Sequence, residues 1–133
     1  MPAEVFVGID VSKATLDVVV RPSGETFQES NDVGGVHRLV RHLKKLRPSC
    51  IVAEATGGLE MAVWEGLAKG GLRVAIVNPR QVRDFARASG QLAKTDRLDA
   101  GTLALFAERM RPEIRPLPSA EQQDFAAQLA RRR

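Results

Sequence analysis

The sequence predicts an α/β fold: a mixed five-stranded sheet flanked by helices, followed by a C-terminal helical extension. Three observations carry this expectation. Val5 to Val20 reads as two β-branched strands joined at Ser12, Lys13 and Ala14, with residues suited to a pleated, buried surface. Two more apolar runs, Cys50 to Ala55 and Leu72 to Val77, alternate with amphipathic helical stretches, as crossover connections between parallel strands require. With 133 residues, 44% of them hydrophobic, the chain has material for one substantial core.

Taken in order, Arg21-Pro-Ser-Gly24 turns the chain after the second strand, since Pro fixes φ and Gly permits the reversal. Glu25 to Ser30 forms a third strand, antiparallel to the second. Asn31-Asp32 and Gly34-Gly35 then break the pattern, and Val36 to Arg47 is helical, with Val36, Leu39, Val40, Leu43 and Leu46 on one face. The other face carries Arg38, Arg41, Lys44 and Lys45, and Pro48 ends the helix. Cys50 to Ala55 delivers Glu54 to a strand end, and Thr56-Gly57-Gly58 loops into a helix over Leu59 to Lys69, where Trp64 is a packing residue.

Gly70-Gly71 stops that helix. Leu72 to Val77 is a strand buried on both sides, closed by Asn78-Pro79. A helix from Arg80 to Ala88 presents Arg80, Arg83 and Arg87 on one face, and a long helical pattern follows from Asp96 to Met110. Pro112, Pro116 and Pro118 make a stiff linker, and a last helix opens at Ser119 with an apolar stripe of Phe125 and Leu129. Residues 1–111 are thus expected to be one domain. Residues 112–133 are expected to be a linker and the start of a helical extension, with the natural chain longer or this helix packed on another molecule. Three meandering strands followed by two crossover units make the ribonuclease H-like arrangement.

Four carboxylates carry the chemistry. Asp10 sits in the first strand between Ile9 and Val11, a costly place for a charge without a partner. Alone it reads as a strand-end acid facing solvent or capping a turn, and it reads as facing a cation only if other acids arrive at corresponding strand and helix ends. Glu54 ends the strand expected beside the first. Asp96 and Asp99, three apart at a helix start, can project from one side of the first turn, although the same spacing suits an N-cap followed by an acid at N3. Converging acids repel unless a cation joins them, and hard divalent ions such as Mg²⁺ take oxygen ligands of this kind. Two such ions, about 4 Å apart, serve phosphoryl transfer by activating the attacking oxygen and stabilising the leaving one.

The motifs GIDVSK (Gly8 to Lys13), EATGG (Glu54 to Gly58), NPRQVRDFARASG (Asn78 to Gly90) and KTDRLDA (Lys94 to Ala100) resemble the N-terminal domain of DEDD transposases. These belong to the insertion-sequence-110 family, which includes the Piv and MooV invertases. The resemblance covers nearly the whole chain in four ordered blocks. It implies a domain similar to the Holliday-junction resolvase RuvC, with Asp10, Glu54, Asp96 and Asp99 as catalytic and metal-holding tetrad and Mg²⁺ or Mn²⁺ as cofactor. It also implies DNA as partner, an element-encoded guide RNA in some members, and a homo-oligomer for the full-length protein. Family proteins continue into a domain supplying a nucleophilic serine, which none of Ser12, Ser23, Ser30, Ser49, Ser89 or Ser119 matches, so the chain looks like the metal-binding half of a composite site.

Charge suits a polyanion partner, and taken alone suits an ordinary solvated surface as well. Residues 1–33 hold two basic and six acidic side chains, whereas residues 34–133 hold eighteen and ten, a basic body around an acidic strand layer. Lys13, Arg80, Arg83, Arg87, Lys94 and Arg97 are the expected nucleic-acid contacts, with little base stacking because the chain has one Trp, five Phe and no Tyr.

A single cysteine, Cys50, excludes an internal disulfide and reads as a core thiol. His37 and His42 read as surface residues without zinc spacing. No run is long enough to span a membrane and no leader is evident, so a soluble, cytoplasmic protein is expected. Two other readings share the sheet. One is an actin-like or sugar-kinase phosphate-binding domain, against which GIDVSK lacks the Gly-Thr-rich turn. The other is a non-catalytic nucleic-acid-binding or assembly module whose acids only cap elements.

Overall fold

The computed structural model describes residues 4–90 and 99–114. The strands are β1 (Phe6–Val11), β2 (Thr15–Arg21), β3 (Thr26–Ser30), β4 (Cys50–Glu54) and β5 (Val74–Val77). The helices are α1 (Val33–Leu46), α2 (Met61–Lys69), α3 (Pro79–Ala88) and α4 (Ala100–Met110). The strand order is β3-β2-β1-β4-β5. β1 pairs antiparallel with β2 and β2 with β3, while β1, β4 and β5 run parallel. This is the expected mixed sheet with β1 at its centre.

The sheet is covered on both faces, and strand alternation divides its side chains between two cores. Val7, Ile9 and Val11 of β1 face α1 and α2, packing with Leu39, Leu43, Val63 and Leu67. Phe6, with Cys50 and Val52 of β4, faces α3 and α4, packing with Val82, Leu103 and Phe106. Burial on both sides explains why β1 and β4 read as continuous apolar runs rather than alternating ones. Trp64 is a packing residue, as expected, half-buried against the first core.

Gly8 makes the second layer possible. A Cβ there would collide with the Ala100 carbonyl oxygen and the Ala104 nitrogen, so α4 lies directly on the β1 backbone. Three hydrogen bonds and one cation–ring contact tether that helix near its C-terminus. Arg21 of β2 donates from Nε and Nη2 to the Glu108 carboxylate, both at 3.3 Å. At its far end Arg111 adopts a left-handed C-cap, donates to Glu4 Oε2 at 2.9 Å and lies 5.1 Å over the Phe6 ring.

Several boundaries differ from those the sequence pattern predicts. α1 begins at Val33, three residues earlier than expected, because the Asp32 carboxylate caps it through the Gly35 N–H at 2.7 Å. That bond, with one from Ser30, holds the Asp32 carboxyl below its usual range. The glycine pair expected to break the chain therefore lies inside the first turn, where a Cβ at Gly35 would strike the Ser30 carbonyl. His42 is half-buried rather than a free surface residue: its ring stacks 4.3 Å from Phe27 and its Nε2 lies 2.8 Å from Glu25 Oε1. The helix expected from Ser119 lies outside the described residues.

Candidate metal and nucleic-acid site

Asp10 is the fifth residue of β1, and register fixes its neighbours. Ile9 of β1 pairs with Ala53 of β4 in parallel, so one step further along both strands Asp10 stands level with Glu54. Phe6 and Gly8 on one strand, and Cys50 and Val52 on the other, face α3 and α4; Asp10 and Glu54 continue those two series on the same face. Both are half-buried, and the Glu54 Oε2 atom is fully enclosed. The Ala55 N–H donates to the Val77 carbonyl at 3.0 Å, so the backbone that carries Glu54 is fixed against β5.

The third expected acid arrives from above. Asp99 is the N-cap of α4, in extended conformation, and its Oδ1 accepts from the Thr102 N–H at 2.8 Å and the Thr102 hydroxyl at 3.0 Å. Since Ala100 rests on Gly8, two residues before Asp10, Asp99 lies at the same end of the sheet as the two strand acids. The helical pattern predicts Asp99 inside a helix running from Asp96. In the structure α4 starts at Ala100, because an aspartate at the cap satisfies an N–H that the first turn leaves open. Asp96, Lys94 and Arg97 lie outside the described residues. Among the described residues no three carboxylate, histidine or cysteine side chains are gathered into a metal-holding group.

The structure adds an acid that the sequence pattern does not single out. Asp17 of β2 pairs directly with Asp10 across the antiparallel ladder, on the same face, and accepts from Gln28 Nε2 at 2.7 Å. Three carboxylates therefore stand in a row across β2, β1 and β4. The signal for it lies in the connection: a three-residue link at Ser12 to Ala14 sets position 10 opposite position 17. These acids offer oxygen atoms alone, donors that would suit a hard divalent ion such as Mg²⁺ or Mn²⁺ rather than zinc. Cys50 contributes nothing to it, lying at the other end of β4 with its thiol pushed up to about 11 by burial.

The basic residues flank this end. Lys13 is exposed in the turn that follows β1, closed by Ser12 and Thr15 through N–H and hydroxyl bonds. α3 begins where β5 ends, capped by Asn78 Oδ1 accepting from the Arg80 N–H at 2.9 Å. Arg80, Arg83 and Arg87 are all exposed along it, and Phe85 meets Phe106 of α4 edge-on at 5.4 Å on its inner side. A cavity of about 620 Å³ between α1 and α2, lined in part by Val36, Val40 and Gly66, lies on the opposite face of the sheet. No helix among the described residues is long and apolar enough to cross a membrane.

Comparison with known proteins identifies the fold and the family. The T. thermophilus RuvC structure, solved in complex with a Holliday junction substrate, superposes with a TM-score of 0.55 at 21% identity, covering 81% of this chain and 96% of that one. The match establishes a RuvC-like fold. Among curated proteins the chain is 28% identical over 122 residues to the pilin gene-inverting protein of Moraxella lacunata and 27% identical to that of Moraxella bovis. The matched region takes in 84% of this chain and 37% of the length of each relative. A transposase family model, that of the insertion-sequence-110 DEDD proteins, matches residues 7–133. With that match over most of its length, the chain belongs to the DEDD transposase family of insertion-sequence-110 type.

Proposed function

We propose that this chain is the metal-holding catalytic domain of a DNA transposase or recombinase, with residues 1–111 forming the domain. The observation that carries the reading is the register of β1 and β4, which sets Asp10 and Glu54 side by side on one face beneath the start of α4. Membership of the family and the RuvC-like fold support it. So do the names of the relatives, which describe gene inversion, and the junction DNA bound to RuvC.

In this reading Asp10, Glu54, Asp96 and Asp99 hold Mg²⁺ or Mn²⁺, with the strand acids as the fixed pair. When bound, such ions lower the barrier to phosphoryl transfer by stabilising charge on the attacking and leaving oxygens. The chain's own contribution is positional. β1 and β4 hold two carboxylates at one height, and α4 fixes a third group through its cap. Lys13, Arg80, Arg83, Arg87, Lys94 and Arg97 neutralise backbone phosphates and bring the duplex to the acids.

Thermal melts with and without Mn²⁺ test the reading. A cation that binds only the native state adds about 2.7 kcal/mol at a hundredfold excess over Kd. The wild-type midpoint should therefore rise with Mn²⁺, and Asp10→Asn should lose most of the rise. An unchanged wild-type midpoint at saturating Mn²⁺ rejects the metal site.

A further inference from the structure

Glu60 is the one buried charged side chain among the described residues, 5% exposed, and it belongs to none of the roles above. It sits at the entrance to α2, and its carboxylate turns back onto the loop that follows Glu54. Oε1 accepts from the Thr56 N–H at 2.8 Å and the Gly58 N–H at 3.0 Å, with the Thr56 hydroxyl at 3.5 Å. A carboxylate is costly to bury unless donors replace its water, and two backbone amides aimed at one oxygen do so.

The loop held in this way has little else to hold it. Gly57 and Gly58 both have positive φ, at 75° and 112°, and a Cβ built on either meets no described atom within 4 Å. The two glycines thus add no side-chain packing of their own, and Glu60 accepts two of the loop's backbone hydrogen bonds. On the strand side, Ala55 is fixed by its bond to Val77. Only Ala55 separates Glu54 from Thr56, the first residue whose amide Glu60 binds, so the backbone just beyond the β4 acid is pinned by β5 and by Glu60.

We infer that Glu60 is a positioning residue for the metal site: it binds no metal, and it fixes the backbone from which Glu54 projects by accepting the Thr56 and Gly58 amides. This rests on the metal-site reading above. Removing partners that orient a metal ligand commonly costs about 10- to 100-fold in metal affinity, and Glu60 acts on Glu54 in that manner. What the site needs from it is an acceptor oxygen at a fixed reach, not a negative charge.

The test is Mn²⁺ titration of the 133-residue chain by calorimetry, with native folding of each variant verified by circular dichroism. Glu60→Ala should weaken Mn²⁺ binding about tenfold, whereas Glu60→Gln, which keeps an acceptor oxygen at the same reach, should stay within about threefold of wild type. Val40→Ala, on α1 across the sheet, serves as a control for general destabilisation and should leave Mn²⁺ affinity unchanged. If Glu60→Ala does not fold, Glu60→Asp replaces it, since one methylene less withdraws the oxygen from both amides.

Wild-type affinity in the shortened side-chain variant overturns the inference, as does a Gln variant as weak as Ala, which would assign the effect to charge. Equal weakening in Val40→Ala also overturns it, by reducing the effect to stability. A wild-type chain that binds no Mn²⁺ is a different result: it removes the metal-site reading itself.

Discussion

At the scale of single residues, the acids differ in what the fold asks of them. Asp99 already has a structural task, capping α4 through Thr102, and its position follows from the helix it starts. Asp17, which accepts from Gln28, also stands directly opposite Asp10, and like charges so placed across a strand pair are destabilising, on the scale of about 0.2–1 kcal/mol for cross-strand pairs. Asp17→Asn keeps an oxygen to accept from Gln28 and removes one charge of the pair. The metal-free variant should therefore melt higher than wild type, by about 2 °C for about 0.5 kcal/mol. Saturating Mn²⁺ should narrow or reverse that gain, because the cation compensates the repulsion only when both charges are present. A lower midpoint without metal would mean that the Asp10–Asp17 pair carries no repulsion.

At the scale of elements, most of the secondary structure is legible in the sequence because strand and helix periods differ and the breakers are strong. Pro48, Gly70-Gly71 and Asn78-Pro79 each end an element where expected. Two places mislead. The glycine pair at 34 and 35 reads as a break because local propensity disfavours glycine in helices, yet the Asp32 cap and the crowding by Ser30 outweigh it. Asp99 reads as a helix-interior residue because spacing alone does not tell an N-cap from an acid one turn in. Asp17 and Glu60 escape a linear pattern for another reason: their significance lies in register and in burial, which only the folded chain displays.

The α3 helix bears its own prediction. Arg80, Arg83 and Arg87 lie on an element that starts at the acidic end of the sheet. Replacing all three by Ala should flatten the dependence of log affinity for duplex DNA on log salt by about 0.9 for each phosphate no longer neutralised. Binding measured from low to moderate salt decides this, and an unaltered slope would leave those arginines as solvated surface only.

At the scale of the whole molecule, the candidate site joins two layers. Asp10 and Glu54 belong to the sheet and Asp99 belongs to the helical layer above it, so no single element contains the arrangement. What sets their separation is the missing side chain at Gly8, where the backbone of α4 rests on β1. Gly8→Ala would lift the helix against its tethers at Arg21 and Arg111 and cost about 1–3 kcal/mol from overpacking. Urea titration should register that loss, and calorimetry should register weaker Mn²⁺ binding; a variant with wild-type values in both would show that α4 can move without consequence. Gly8 acts as a spacer of zero thickness. The height of one acid above the others is gauged by a hydrogen atom, and a single methyl group would leave every carboxylate in place on its own element while pulling the set apart.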